Sequence, residues 1–95
     1  MYLIRDVFRT KPGHAKDLVE IFKNTNPLMA ETGVINIRVL TDVVSTYWTV
    51  VWEFEVEELN DYFTMAASPN PEITDSMKGY KDLIAEGHRE IFKIE

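Results

Sequence analysis

The chain contains no cysteine. Disulfides, thiolate catalysis and cysteine-ligated metals are therefore excluded. Only two histidines occur, His14 and His88, and neither has a His, Asp or Glu partner at metal-binding spacing on one helix face. The four glycines lie far apart, so there is no phosphate-cradling loop. Basic residues are scattered and outnumbered, 10 against 16 acidic, giving a net charge of −6. That balance lacks the electrostatic footprint of a nucleic-acid binder and disfavours anionic membranes. No apolar run approaches the ~20 residues needed to span a bilayer. Arg5 and Asp6 interrupt the opening apolar run, so no signal-peptide core is expected and the expected location is cytoplasmic.

What is present is a large apolar content for a short chain. Ninety-five residues predict a single domain over 1–95. At this length a core buries only about 60–65% of the unfolded surface. Yet 45% of the residues are hydrophobic and eleven are aromatic. Self-association would use the surplus.

Residues 2–10 read as a strand, with Ile4 and Phe8 on one face and Leu3 and Val7 on the other. Lys11-Pro12-Gly13 follows, and Pro12 suits the start of a helix because its missing N–H would be unpaired there. Ala15, Leu18, Val19 and Phe22 then fall at i, i+3, i+4 and i+7, an amphipathic stripe. Asn26-Pro27 is expected to interrupt this helix and cap a short second one, and Gly33 to end it. A strand over 34–41 puts Ile35, Ile37 and Val39 on one face and Asn36, Arg38 and Leu40 on the other. A hairpin loop over 42–46 leads to a strand over 47–56, with Trp48, Val50, Trp52 and Phe54 on one face. Glu57-Glu58 opens the next helix, whose stripe is Leu59, Tyr62, Phe63 and Ala66. Asn70-Pro71 starts a helix predicted to run over 71–86 and to stop at Gly87. A last strand over 88–95 would direct Phe92 and Ile94 to the core.

The order is β-α-β-β-α-β, a split βαβ unit. The expected fold is α+β and ferredoxin-like: a four-stranded antiparallel sheet with its helices on one face. The second face is mixed, with Leu40, Val51 and Ile91 among Arg38, Glu53, Arg89 and Lys93. That mixture predicts a homodimer stacked through the face carrying Arg38 and Glu53, with those two residues paired in the interface.

Asp6 is the odd residue. It lies between Ile4 and Phe8 on the helix-facing side, since the opposite phase would bury Arg5 and Arg9. A carboxylate there costs several kcal/mol unless it is paired, hydrogen-bonded or protonated. It is either a structural anchor or part of a pocket. Trp48 and Trp52, two apart on a strand, form either core or a flat aromatic wall. Tyr62 and Tyr80 lie on helix stripes turned to that wall, and Met65 and Met77 suit either packing or an adaptable pocket.

The strand ending in Lys11-Pro12-Gly13, the helix after it, the Val34–Val56 hairpin, and Trp52-Glu53 leading into Glu58-Leu59 resemble the dimeric α+β barrel superfamily, which includes the antibiotic-biosynthesis monooxygenase-like domains. The resemblance spans nearly the whole chain. It implies a sheet dimerised face to face and a pocket between sheet and helices. Some members are cofactor-independent oxygenases of aromatic polyketides and others degrade haem. The haem-degrading branch uses an Asn on the first strand, a Trp on the second helix and a His on the helix after it. Here Asp6 and Tyr62 hold the first two places and residues 71–86 contain no His, so haem cleavage is not expected.

Two functions follow. One is an enzyme without cofactor, monooxygenase-like or isomerase-like, acting on a small planar or aromatic compound, with Asp6 as base or orienting acceptor and Trp48, Trp52, Tyr62, Met77 and Tyr80 shaping the pocket. The other is a non-catalytic ligand-binding or dimerisation module in which the same aromatics are packed core.

Overall fold

A computed structural model describes residues 1–45 and 47–95. Four strands form one antiparallel sheet: β1 (Tyr2–Thr10), β2 (Ile35–Thr41), β3 (Thr49–Val56) and β4 (Ile84–Lys93), in the spatial order β2-β3-β1-β4. Three helices, α1 (Ala15–Ala30), α2 (Leu59–Ala67) and α3 (Pro71–Ser76), and a 3₁₀ turn (Tyr80–Leu83) are the other regular elements among the described residues. This is the expected ferredoxin-like α+β arrangement.

The core forms between the inner sheet face and the helices. Ile4, Val50, Trp52, Phe54 and Val56 meet Leu18, Phe22 and Met29 of α1 and Tyr62 of α2. Ile4, Leu18, Phe22 and Val50 are wholly buried; such side chains each contribute about 1.5–3 kcal/mol.

Helix α1 starts three residues later than Pro12 and runs unbroken through Pro27. Lys11 to His14 form a turn instead, with the His14 N–H on the Lys11 carbonyl at 3.1 Å. Gly13 supplies the positive φ, +82°, that a side chain would resist. Pro27 cannot donate to Lys23, four residues back. The helix continues because Leu18, Phe22, Thr25 and Met29 form one buried stripe spanning both sides of Pro27. Gly33 follows the helix with φ +96°, as its position predicted.

Strand β2 carries a bulge. Ile35 lies opposite Glu55 and Arg38 opposite Glu53, so two residues of β2 span one of β3. Asn36 takes φ +53° within it. The extra residue moves Ile35 to the outer face, beside Glu55, against the expectation that it would share a side with Val39.

Strand β3 begins at Thr49, two residues after the predicted start. Trp48 has φ +60° and lies outside the strand, so it does not continue the alternation of Val50 and Trp52. Thr46, the last residue of the predicted loop, lies outside the described residues.

The helix expected over 71–86 is short. The Asn70 side chain caps it by accepting from the Glu72 N–H at 2.9 Å, as predicted, but it stops at Ser76. Gly79, with φ +86°, ends this helical region rather than interrupting it. The strand therefore begins at Ile84, and Gly87 lies inside it. A Cβ on Gly87 would stand 2.7 Å from the Phe8 ring, which explains glycine there.

The phase of β4 also differs from expectation. Asp6 is opposite Arg89, Ile4 opposite Ile91 and Phe8 opposite Gly87. Directly opposed residues share a face. Arg89 and Ile91 thus face the helices, while Phe92, opposite Leu3, is turned outward and half exposed. Ile94 lies beyond the strand and is exposed.

On the outer face Glu53 is only 1% exposed. Arg38 Nε donates to its Oε1 at 2.5 Å and Arg5 Nη1 to its Oε2 at 3.3 Å. The predicted Arg38–Glu53 pair thus forms within a single chain.

Candidate functional site

Asp6 sits at the centre of the sheet, on β1, with Trp52 of β3 opposite it on one side and Arg89 of β4 on the other. It points toward the helices, as predicted, and is 8% exposed. Arg89 satisfies it by a fork: Nε donates to Oδ1 at 2.6 Å and Nη2 to Oδ2 at 3.1 Å. Charge-assisted bidentate pairs of this kind are short and directional. The bond to Asp6 raises the Arg89 pKa above its ordinary value.

Tyr62 of α2 lies beneath the guanidinium, whose carbon stands 5.5 Å from the ring centre. Burial pushes the Tyr62 hydroxyl pKa up, while the Arg89 charge opposes that shift. A hydroxyl so placed keeps its proton through the neutral range.

Trp52 stacks on Phe22 of α1, centroids 4.5 Å apart and planes 8° from parallel. Its indole N–H donates to Asn26 Oδ1 at 2.7 Å. Asn26 therefore serves the tryptophan rather than capping a second helix. Phe8 packs on Phe22 and meets Tyr80 edge-on, at 5.5 and 6.4 Å.

Two adjoining lobes of a cleft lie between the sheet and the segment from α3 to the 3₁₀ turn. The smaller, about 440 Å³, is walled by Phe8, Met77, Ile84, Gly87 and His88 together with Asp6, Trp52, Tyr80, Lys81 and Arg89. The larger, about 830 Å³, shares Asp6, Trp52, Met77, Tyr80, Lys81 and Arg89 and adds Tyr62, Phe54, Met65 and Ile73. Both volumes fall within the ~300–1,000 Å³ of small-molecule sites.

Of the side chains singled out from sequence, Asp6, Trp52, Tyr62, Met77 and Tyr80 converge on this cleft. Trp48 does not. It is 47% exposed in the β2–β3 connection, with Tyr47 as its ring neighbour at 6.0 Å. Arg89, Lys81 and Phe8 are site residues that the sequence reading missed. The signal for Arg89 was Asp6 itself: an inward carboxylate needs a partner, and one phase of β4 supplies an arginine.

His88 lines the smaller lobe, whereas His14 lines neither. His14 Nδ1 lies 3.3 Å from Asp17 in the first turn of α1, and His88 Nε2 lies 3.0 Å from Glu90. Among the described residues no group of three His, Asp or Glu side chains converges as a metal site. Nor is any described helix long and apolar enough to cross a membrane.

The fold recurs among solved structures. An uncharacterized NIPSNAP domain protein from Burkholderia xenovorans superimposes with a TM-score of 0.81 at 10% identity, covering 100% of this chain and 95% of that one. A proposed antibiotic biosynthesis monooxygenase from Deinococcus radiodurans gives 0.77 at 14% identity, covering 100% and 93%. Another from Chloroflexus aurantiacus gives 0.73 at 18%, covering 99% and 94%. No protein-family model and no curated protein matches the sequence. The chain thus has the ferredoxin-like α+β fold shared by NIPSNAP and antibiotic-biosynthesis-monooxygenase-like structures, the architecture its sequence resembled.

Proposed function

We propose that this is a small-molecule-binding protein whose cleft takes a small planar, partly apolar compound. One observation carries the reading: a buried Asp6, held at both oxygens by a half-exposed Arg89, forms part of the wall of a cleft otherwise lined by Trp52, Tyr62, Tyr80 and Met77. Aromatic walls supply area for a flat ligand and the polar couple supplies orientation. Structures of the same fold include proposed antibiotic biosynthesis monooxygenases, which favours a cofactor-independent, monooxygenase-like reaction on an aromatic compound.

In that reaction Asp6 would act as an orienting group rather than a free base, because both its oxygens already accept from Arg89. Arg89 would stabilise negative charge on a substrate oxygen as it develops. The test is a thermal-shift screen of two- and three-ring planar compounds, followed by oxygen-electrode measurements on every binder. Stabilisation by such compounds, weakened in Tyr80→Leu, supports the site. Oxygen uptake supports the oxygenase; binding without uptake assigns the non-catalytic ligand-binding reading. No stabilisation by any planar compound overturns the proposal.

The outer sheet face carrying Arg38 and Glu53 is proposed as the homodimer contact. Ile35, Leu40 and Phe92 are exposed large apolar residues on that face, around buried Val51. Light scattering of the wild type and of Leu40→Glu tests it: a dimer that Leu40→Glu dissociates supports the contact, and a wild-type monomer of 11.0 kDa excludes it.

A further inference from the structure

Resting on the small-molecule reading above, we infer that the smaller lobe selects a planar aromatic compound bearing an anionic oxygen, with Lys81 and Arg89 holding the charge. The chain as a whole is at −6, yet the charged groups walling this lobe are one carboxylate, Asp6, against two cations, Arg89 and Lys81; the other titratable wall residues are His88 and Tyr80. Asp6 and Arg89 neutralise one another. Lys81 makes no ion pair among the described residues, so its charge is uncommitted.

Donor capacity points the same way. Asp6 has both oxygens engaged by Arg89, so it is a poor receptor for a ligand cation. A guanidinium carries five N–H donors, and the fork to Asp6 employs two of its nitrogens through one bond each. The Arg89 side chain also engages the Tyr62 hydroxyl, but it is 51% exposed and lines both lobes, so donors remain accessible to an incoming oxygen. The larger lobe adds Lys78 but also Asp75 and Asp82, so only the smaller lobe has excess positive charge. Its remaining wall is apolar and aromatic: Phe8, Trp52, Tyr80, Met77 and Ile84. Rings would lie among those residues with the acid group toward Lys81 and Arg89.

The test compares two ligands of equal shape, 2-naphthoate and 2-naphthamide, by calorimetry on the full chain at low ionic strength. The carboxylate is expected to bind about tenfold more tightly than the amide, a difference of about 1.4 kcal/mol. Lys81→Gln should reduce that preference about fivefold, the scale of an exposed ion pair, while Lys81→Arg retains it. Lys81 is surface-exposed and makes no bond to either residue, so this variant spares the Asp6–Arg89 couple. If the amide binds the wild type as well as the acid, the anionic preference is wrong and planar-ligand binding survives. If the preference exists but ignores Lys81→Gln, the assignment to this lysine is overturned. If neither compound binds, the inference falls together with the small-molecule reading.

Discussion

Arg89 meets Asp6 directly across the β1–β4 ladder and closes on it with two hydrogen bonds of 2.6 and 3.1 Å. The two residues are not equivalent. Asp6 is buried, whereas the Arg89 side chain is half exposed. Removing the arginine leaves a carboxylate without its counter-charge in the interior, a loss of about 3 kcal/mol for buried pairs. Asp6→Asn leaves a guanidinium that water can reach and a side chain that still accepts, and is expected to cost about 1 kcal/mol. Urea denaturation at pH 7 of Arg89→Met and Asp6→Asn checks the asymmetry. Equal losses would show that burial of Asp6 does not govern this pair.

Tyr62 makes stability depend on alkaline pH. Its pKa is raised in the folded state above the ordinary 10.0, chiefly by burial. Between those two values the unfolded chain has released the proton and the folded chain has not. Unfolding then gains from ionisation, so stability falls as pH rises through 10. Below 10 the contribution is constant. Thermal melts between pH 9 and 11 should decline more steeply for the wild type than for Tyr62→Phe, and the absorbance titration of the folded wild type should show a late ionisation that Tyr62→Phe removes. Parallel declines would remove the effect.

The Trp52 indole N–H has Asn26 Oδ1 as its partner at 2.7 Å. Asn26→Ala leaves a buried donor unpaired, a penalty of about 1–3 kcal/mol, partly offset by the better helix propensity of alanine, at most about 0.7 kcal/mol. Asn26→Asp keeps an acceptor. In a Trp48→Phe background, where Trp52 is the sole indole, urea unfolding followed by fluorescence should show a loss of about 1 kcal/mol for Asn26→Ala and a smaller one for Asn26→Asp. The reverse order would mean that the hydrogen bond contributes nothing.

Much of this architecture was legible because its signals are local. The β1 alternation set Ile4, Asp6 and Phe8 on one side, the α1 stripe announced a buried face, and Asn70-Pro71 marked a helix start. The inward Asp6 was readable because both Arg5 and Arg9 argued against the other phase. The misread features depend on tertiary packing. In β4, Phe92 and Ile94 look like core residues, yet pairing with Asp6 draws Arg89 inward and turns Phe92 out. One extra residue near Asn36 reverses Ile35, a shift that periodicity cannot register. Pro27 stays helical because burial on both sides of it outweighs the lost hydrogen bond. Trp48 left the proposed wall through a positive φ, which its residue type does not announce.

Gly87 and Phe8 share one place in the sheet. They are directly opposite on β4 and β1, and a Cβ at 87 would fall 2.7 Å from the Phe8 ring. The ring cannot simply swing aside, because Phe22 and Tyr80 pack against it at 5.5 and 6.4 Å. Gly87→Ala is therefore expected to destabilise by about 1–3 kcal/mol, the scale of overpacking, despite alanine being the better strand residue. Phe8→Ala costs about 3–5 kcal/mol if fully buried, and less here because Phe8 is only partly buried. In that background the ring clash is gone and only the Val7 carbonyl, 3.3 Å from the Cβ, still crowds it, so adding Gly87→Ala should cost much less. A double-mutant cycle by urea denaturation measures the coupling, expected above about 1 kcal/mol. Because Phe8 walls the smaller lobe, Gly87→Ala should also weaken any ligand bound there while the Asp6–Arg89 couple stays intact. Additive losses in the cycle would mean that the glycine serves some purpose other than seating the phenylalanine ring.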